Sequence, residues 1–313
     1  MRIFIVGLTF ILFSLGSFAQ QAATYAQYMF NGLAINPAYA GSQDALSLTA
    51  MGRFQNVGLT GAPNTQTFSA HSPLLNERVA LGFLVVHDEI SVIDQTGISA
   101  MYAYRLPINK NKSTLSFGLQ AGVSMYNAQY SKVECWQCLT NPNYSGPPDP
   151  AFQENIQEAR PNMGAGVFYS TKKFYAGISM PHMVNNVFER GENFETVYQN
   201  KPLIVTGGYV FTLNRMLKLK PNFMFMMIDG RPVEFDLNAS LLFDEVLWFG
   251  LSYKSSSQLT FLTQFKISDQ FQFGYSYTLA MGPIKTVELG SHEVMLNYRF
   301  WFHKKGVIAP RYF

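Results

Sequence analysis

Charge is scarce in this 313-residue chain: Lys, Arg, Asp and Glu together make up 14% of it. Soluble domains carry roughly 25%, so an ordinary water-facing surface is excluded. Long apolar runs are also missing after the first twenty residues. The longest, such as Phe223 to Ile228, are strand-sized, far below the roughly 18 residues that a helical membrane span requires. Cysteine is limited to Cys135 and Cys138. This lone C-x-x-C lacks the βαβ surroundings of a redox motif and offers too few ligands for a metal; in an oxidising compartment it reads as an inert or locally bridged pair. The net charge of +3 is not gathered into basic clusters, which leaves nucleic acid without an electrostatic footprint to bind.

What the chain has in abundance is aromatic side chains, 15% of the residues, with 27 Phe and 17 Tyr. The mean hydropathy of +0.02 decides nothing, because a membrane barrel averages an apolar outside against a polar inside. Periodicity decides more. From about Leu46 to Phe302 runs of around ten residues alternate apolar with small or polar ones and then turn. In Gln270 to Thr278 one face is Phe271, Phe273, Tyr275 and Tyr277, and the other is Gln270, Gln272, Gly274, Ser276 and Thr278. Successive side chains of a strand point to opposite faces. A soluble sandwich alternates too, but its wet face usually carries many Lys and Glu. Here that face is mostly Gln, Ser, Thr, Asn and Gly, which suits a crowded lumen.

Segmenting at turn signals predicts an all-β fold, a transmembrane antiparallel β-barrel of about 14 strands, the even number expected of bacterial barrels. The boundaries fall near 46–55, 64–72, 79–87, 95–105, 114–127, 162–170, 173–180, 202–213, 217–227, 232–243, 246–255, 257–267, 270–280 and 291–302. With both termini periplasmic, the inner turns are tight and the long connections, 128–161, 181–201 and 281–290, lie outside, as barrels of this kind arrange them. Four regions are expected: a secretory signal over 1–19, an N-terminal periplasmic or plug segment over 20–44, the barrel over 45–303, and a tail over 304–313. The signal is read from Arg2, the apolar stretch Ile3 to Leu15, and Ser17-Phe18-Ala19 before Gln20. It implies Sec export to the outer membrane, with lipid as the surrounding partner.

Candidate sites for chemistry are weak. Ser69 and His71 share one strand face, but no sharp nucleophile turn marks them, and a lumen hydrogen-bond network is the better reading. His292 and Glu293 are sequence neighbours, so on a strand they face opposite sides and do not form a metal or acid/base pair. Gly164-x-Gly166 is followed by no helix pattern and marks a bend or close contact rather than a nucleotide loop. Arg53, Arg105, Glu234, Asp236, Lys254, Lys266, Glu293 and Arg299 fall on the lumen face with mixed sign and are expected to pair across the interior. No catalytic residue, cofactor or metal is expected.

The most distinctive stretch precedes the first strand: Gln27-Tyr28-Met29-Phe30-Asn31, then Asn36-Pro37-Ala38-Tyr39-Ala40-Gly41-Ser42. Its turn residues and aromatics suggest a segment packed in or under the barrel. Further signatures follow in order: Arg53-Phe54-Gln55, Gly61-Ala62-Pro63, Thr67 to Pro73 with His71, Asp236-Leu237-Asn238, Gly274 to Tyr277, and Gly290-Ser291-His292-Glu293. Together these resemble the PorP/SprF family of the type IX secretion and gliding machinery over nearly the whole mature chain. Asn56 and Thr278 depart from its usual Trp and Asp. The resemblance implies a non-catalytic outer-membrane component in Bacteroidetes-type bacteria that supports secretion or surface anchoring of cargo. The partners it implies are periplasmic motor-ring or peptidoglycan-linked proteins, the translocon, and the C-terminal domain of a secreted adhesin. The competing classes are a porin or solute channel and, further off, a barrel lipase.

Overall fold

The computed structural model describes residues 25–74, 77–109, 113–133, 155–184, 186–188, 197–198 and 201–301. The signal, the cysteine pair and the C-terminal tail lie outside the described residues. Fourteen antiparallel strands close into a barrel. In chain order they are β1 (Leu46–Phe54), β2 (Asn64–Pro73), β3 (Val79–Ile90), β4 (Ile93–Asn109), β5 (Ser113–Ala128), β6 (Ile156–Ser170) and β7 (Phe174–Met180). The second half comprises β8 (Leu203–Tyr209, resumed at Phe211–Thr212), β9 (Leu217–Met227), β10 (Glu234–Phe243), β11 (Leu247–Lys254), β12 (Gln258–Lys266), β13 (Phe271–Ala280) and β14 (Ser291–Phe300). Each strand pairs with its sequence neighbours, and β1 with β14 closes the ring.

The packing is inverted relative to a soluble protein, and this settles barrel against sandwich. Along β10 the buried residues are Asp236, Asn238, Ser240 and Leu242, while Leu237, Leu241 and Phe243 are 40–50% exposed. On β14 Glu293 and Asn297 are buried and Leu296, Tyr298 and Phe300 are exposed. A sandwich would bury its rings between two layers. Here they form the outer wall, the arrangement that hydrocarbon favours. Closure leaves no strand edge in lipid, where each unsatisfied backbone group would cost several kcal/mol.

All fourteen strands fall where the alternation places them, but four are taller than expected. β3 to β6 run to 12, 17, 16 and 15 residues, beyond the roughly 9–11 that span a bilayer. Strands β3 and β4 meet in a two-residue turn, Ser91-Val92, with Ser91 at φ 57° and Ile90 facing Ile93. Strand β6 begins at Ile156, inside the connection assigned above to 128–161. Pro161 fits this strand because β7 is already over: the β6–β7 register begins at Ala165 opposite Met180, so the missing proline N–H has no ladder to break.

The two ends of the barrel differ. Residues 45 and 301 both lie at one, the terminal end, where the described connections are short. The long connections gather at the other, the loop end. Leu251, 46% exposed at the middle of β11, tests the outer surface. Leu251→Arg is expected to destabilise the protein in phospholipid vesicles by about 2–4 kcal/mol, measured by urea titration. A water-facing position would change by no more than about 0.5 kcal/mol.

Candidate functional site

The lumen is occupied by the chain itself. Residues 25–44 form three single 3-10 turns, Tyr28–Phe30, Gly32–Ala34 and Pro37–Tyr39, and most of their side chains are buried. Such short turns leave many backbone groups unpaired within the segment, so the barrel wall must bind them. The segment starts in the loop-end half of the lumen and finishes at the terminal end, where it enters β1.

Its first contact is ionic. Glu293, 2% exposed on β14, accepts the backbone N–H of Ala26 at Oε2 and of Gln27 at Oε1, both at 2.9 Å. Arg53 on β1 stands opposite Glu293 in register and donates to Oε2 at 3.2 Å. The carboxylate therefore bridges plug and wall with its charge compensated, which a buried anion requires. Tyr25 Oη lies 2.7 Å from Thr67 Oγ1, and burial pushes its phenol up to about 12.

Asn31 and Asn36 make the next attachments. Asn31 Oδ1 accepts the Ser69 hydroxyl at 2.9 Å. Asn36 Oδ1 accepts the Ala38 N–H at 2.9 Å, capping the Pro37–Tyr39 turn, while its Nδ2 donates to Val167 O at 3.1 Å. This is possible only where the wall is bare. A Cβ on Gly118 would sit 2.2 Å from Ala38 N, and one on Gly166 would sit 2.2 Å from Asn36 Oδ1. Gly166 thus marks a close approach.

Tyr39 packs edge-on against His71 at 5.5 Å and Phe168 at 5.4 Å. His71 Nδ1 accepts the Gly41 N–H at 3.1 Å. The plug thus takes up both members of the Ser69/His71 pair, each on a different partner. Phe30 lies 5.3 Å from the Lys220 ammonium, which is also 5.4 Å from the Trp248 ring, a cation held between two aromatic faces.

Most of the remaining signature residues fall into two places. Asp236 accepts the Ser252 hydroxyl, and Asn238 accepts from Asn222 at 3.1 Å, inside the loop-end half and middle of the lumen. Gly61 (φ 73°), Pro63, Gly290 (φ 93°) and Ser291 instead form a collar at the loop end, where Val57 N–H donates to Gly290 O at 2.8 Å and Asn56 N–H to Ser291 Oγ at 3.0 Å. Pro73 closes β2 at the terminal end. His292 turns away from Glu293, its Nδ1 lying 2.7 Å from Tyr275 Oη.

The lumen charges expected to pair find partners on both the wall and the plug. Arg53 pairs with a neighbouring strand, Arg105 with Asp44 of the plug at 2.8 Å, and Lys266 with Asp269 of its own turn at 2.7 Å. Arg299 donates to Asn297 Oδ1 and Gln272 Oε1, both at 3.1 Å. Asp236 and Lys254 stand opposite each other in register on β10 and β11. Lys220, Gly118 and Thr67 were not legible as contact residues. One set of metal-capable side chains among the described residues, His87, Glu89 and Asp94, has its ligand atoms within 4.8 Å; it lies on the outward face near the loop end, away from the plug.

Among solved structures this fold is similar to that of the CymD monoaromatic hydrocarbon channel, with a TM-score of 0.51, 12% identity, and coverage of 89% of this chain and 93% of that one. It is similar also to the Pseudomonas putida toluene transporter TodX, with a TM-score of 0.50, 9% identity, and coverage of 92% and 96%. At such identities the likeness extends to the barrel alone. No curated protein matches by sequence. The sequence model of the type IX secretion system membrane protein PorP/SprF matches residues 17–298, the span that contains both the plug and the closed wall, and the chain belongs to that family of outer-membrane barrels.

Proposed function

We propose that the protein is a non-catalytic docking component of type IX secretion, which supports export or surface anchoring of a cargo such as the C-terminal domain of a secreted adhesin. Membership of a secretion-system family supports a role beside other components of that machinery. The observation that carries the docking reading is the plug. It fills the lumen through contacts to at least seven strands, including the two N–H donations to Glu293, Asn36 to Val167 and Gly41 to His71. A barrel filled in this way is a rigid scaffold, and recognition is usually carried by loops and rims that a scaffold presents. In this reading residues 1–19 direct export, the mature chain starts near Gln20, residues 20–44 form the plug, 45–303 the barrel and 304–313 a tail. The terminal end faces the periplasm, where motor-ring or peptidoglycan-linked proteins and the translocon are reached, and the loop end faces outward.

The second reading, a solute channel, draws on the channel proteins that share the barrel architecture. The two differ in conductance. The intact protein in planar bilayers is expected to conduct far less than an open porin of similar diameter, whereas removal of residues 25–42 raises conductance to that level. A freely conducting wild type would favour the channel. In cells, deletion is expected to abolish secretion or surface display of at least one type IX cargo. Unchanged display of every cargo would end the docking reading. A third outcome concerns Glu293→Gln, which keeps the shape of the side chain but removes the charge shared by Arg53 and two backbone donors. It is expected to lower stability by about 3–5 kcal/mol, as breaking a buried ion pair does, read as a lower unfolding temperature.

A further inference from the structure

The chain has little charge, yet the topology sorts that charge by end. At the terminal end, the described cations are Arg78, Lys172, Lys173 and Arg215 on the turns, with Arg105, Lys218, Lys220, Lys266 and Arg299 in the adjoining half of the lumen. Five carboxylates accompany them: Asp44, Glu77, Asp244, Glu245 and Asp269. At the loop end the balance reverses, with nine described carboxylates against seven cations. The sequence of the other connections continues the bias: Lys110 and Lys112 lie between β4 and β5, whereas the two long connections hold Glu134, Asp149, Glu154, Glu189, Glu192 and Glu195 against Lys132, Arg190 and Lys201.

Pairing does not cancel the excess. Asp44 is engaged by Arg105, Glu245 by Lys218 and Asp269 by Lys266. Among the described residues, no carboxylate lies within 4.0 Å of Lys172, Lys173, Arg215 or Arg299. Lys172, Lys173 and Arg215 are exposed on the neighbouring β6–β7 and β8–β9 turns, and Lys173 is close enough to Lys218 for the two ammonium groups to repel. Arg299 is half-buried inside the rim with two amide oxygens as its acceptors. A like-signed group of this kind raises the energy of the isolated face and is relieved by a polyanion.

We propose that the terminal end is a docking face for an acidic polypeptide segment that caps the mouth of the barrel. The inference rests on the docking function above and identifies the chemistry of one partner. The turn lysines alone would equally suit anionic lipid headgroups around the rim. Arg299 and Lys266 do not, because they project into the lumen and are reached along the barrel axis, where a polypeptide can enter and a bilayer lipid cannot.

The test uses the full mature chain in nanodiscs of zwitterionic phosphatidylcholine, with fluorescein-labelled decaglutamate and decalysine peptides as probes. Decaglutamate is expected to bind and decalysine not, with binding weakened as salt rises past the concentration at which the Debye length falls to about 3 Å. The triple variant Lys172→Glu, Lys173→Glu, Arg215→Glu sits on exposed turns and leaves the strands intact. It should weaken decaglutamate at least about tenfold, the sum of three modest surface pairings. Arg299→Gln should weaken it about threefold by the same reckoning. Absence of decaglutamate binding, or equal binding by the triple variant, overturns the inference. So does a loss in the triple variant with none in Arg299→Gln, which would assign the face to lipid headgroups. If decaglutamate fails to bind while gene deletion still stops cargo display, the docking face is wrong and the functional reading stands.

Discussion

A backbone that crosses hydrocarbon finds no water to bond, so every N–H and C=O within the bilayer must be answered by another part of the same chain. A sheet of fourteen strands meets that demand only by closing, and the pairing of β1 with β14 is therefore the contact on which the rest depends. Closure divides the side chains into two populations. Those outside meet lipid and are Phe, Leu, Ile and Tyr; those inside are mostly Asn, Ser, Thr, Gln and a few charges, with a minority of apolar residues such as Met51, Phe168, Met224 and Met295 packed against the plug.

An interior of that kind is difficult to fill from the wall alone. Small polar side chains leave space, and buried polar groups without partners are costly. The segment before β1 resolves both problems together. Its aromatic side chains occupy volume against Phe168, Tyr175 and Trp248, while its unpaired backbone groups meet wall acceptors such as Glu293 and His71 and a donor, the Ser179 hydroxyl, on Ile35 O. Glycines at 118 and 166 let the two backbones approach. The plug and the polar lumen are thus complementary, and the distinctive stretch over residues 27–42 supplies many of the side chains that make that fit.

Much of the wall was legible because a strand with lipid on one side must alternate. Phe271 to Thr278 and Glu234 to Phe243 show the period without ambiguity. The tall parts of β3 to β6 were not legible for a related reason. Above the bilayer both faces of a strand are wet, so Asp88-Glu89 and Asp94 lose the alternation and read as loop. Lys220 was hidden because its strand, Leu217 to Met227, contains a proline and a second lysine. Its two ring neighbours, Phe30 and Trp248, lie on a plug turn and on another strand. That Asn36 rests on Gly166, 130 residues further on, is likewise invisible to any local pattern.

By itself the sequence determined the number of strands, their inward and outward faces and the presence of a segment built to pack rather than to float, because period-two alternation and turn chemistry are local properties. The tertiary structure alone decided which charges become neighbours and which are taken up by a partner. Basic residues that are scattered singly along the chain converge at one rim because an up-and-down barrel returns to the same side every second turn, so like charges far apart in sequence become neighbours in space.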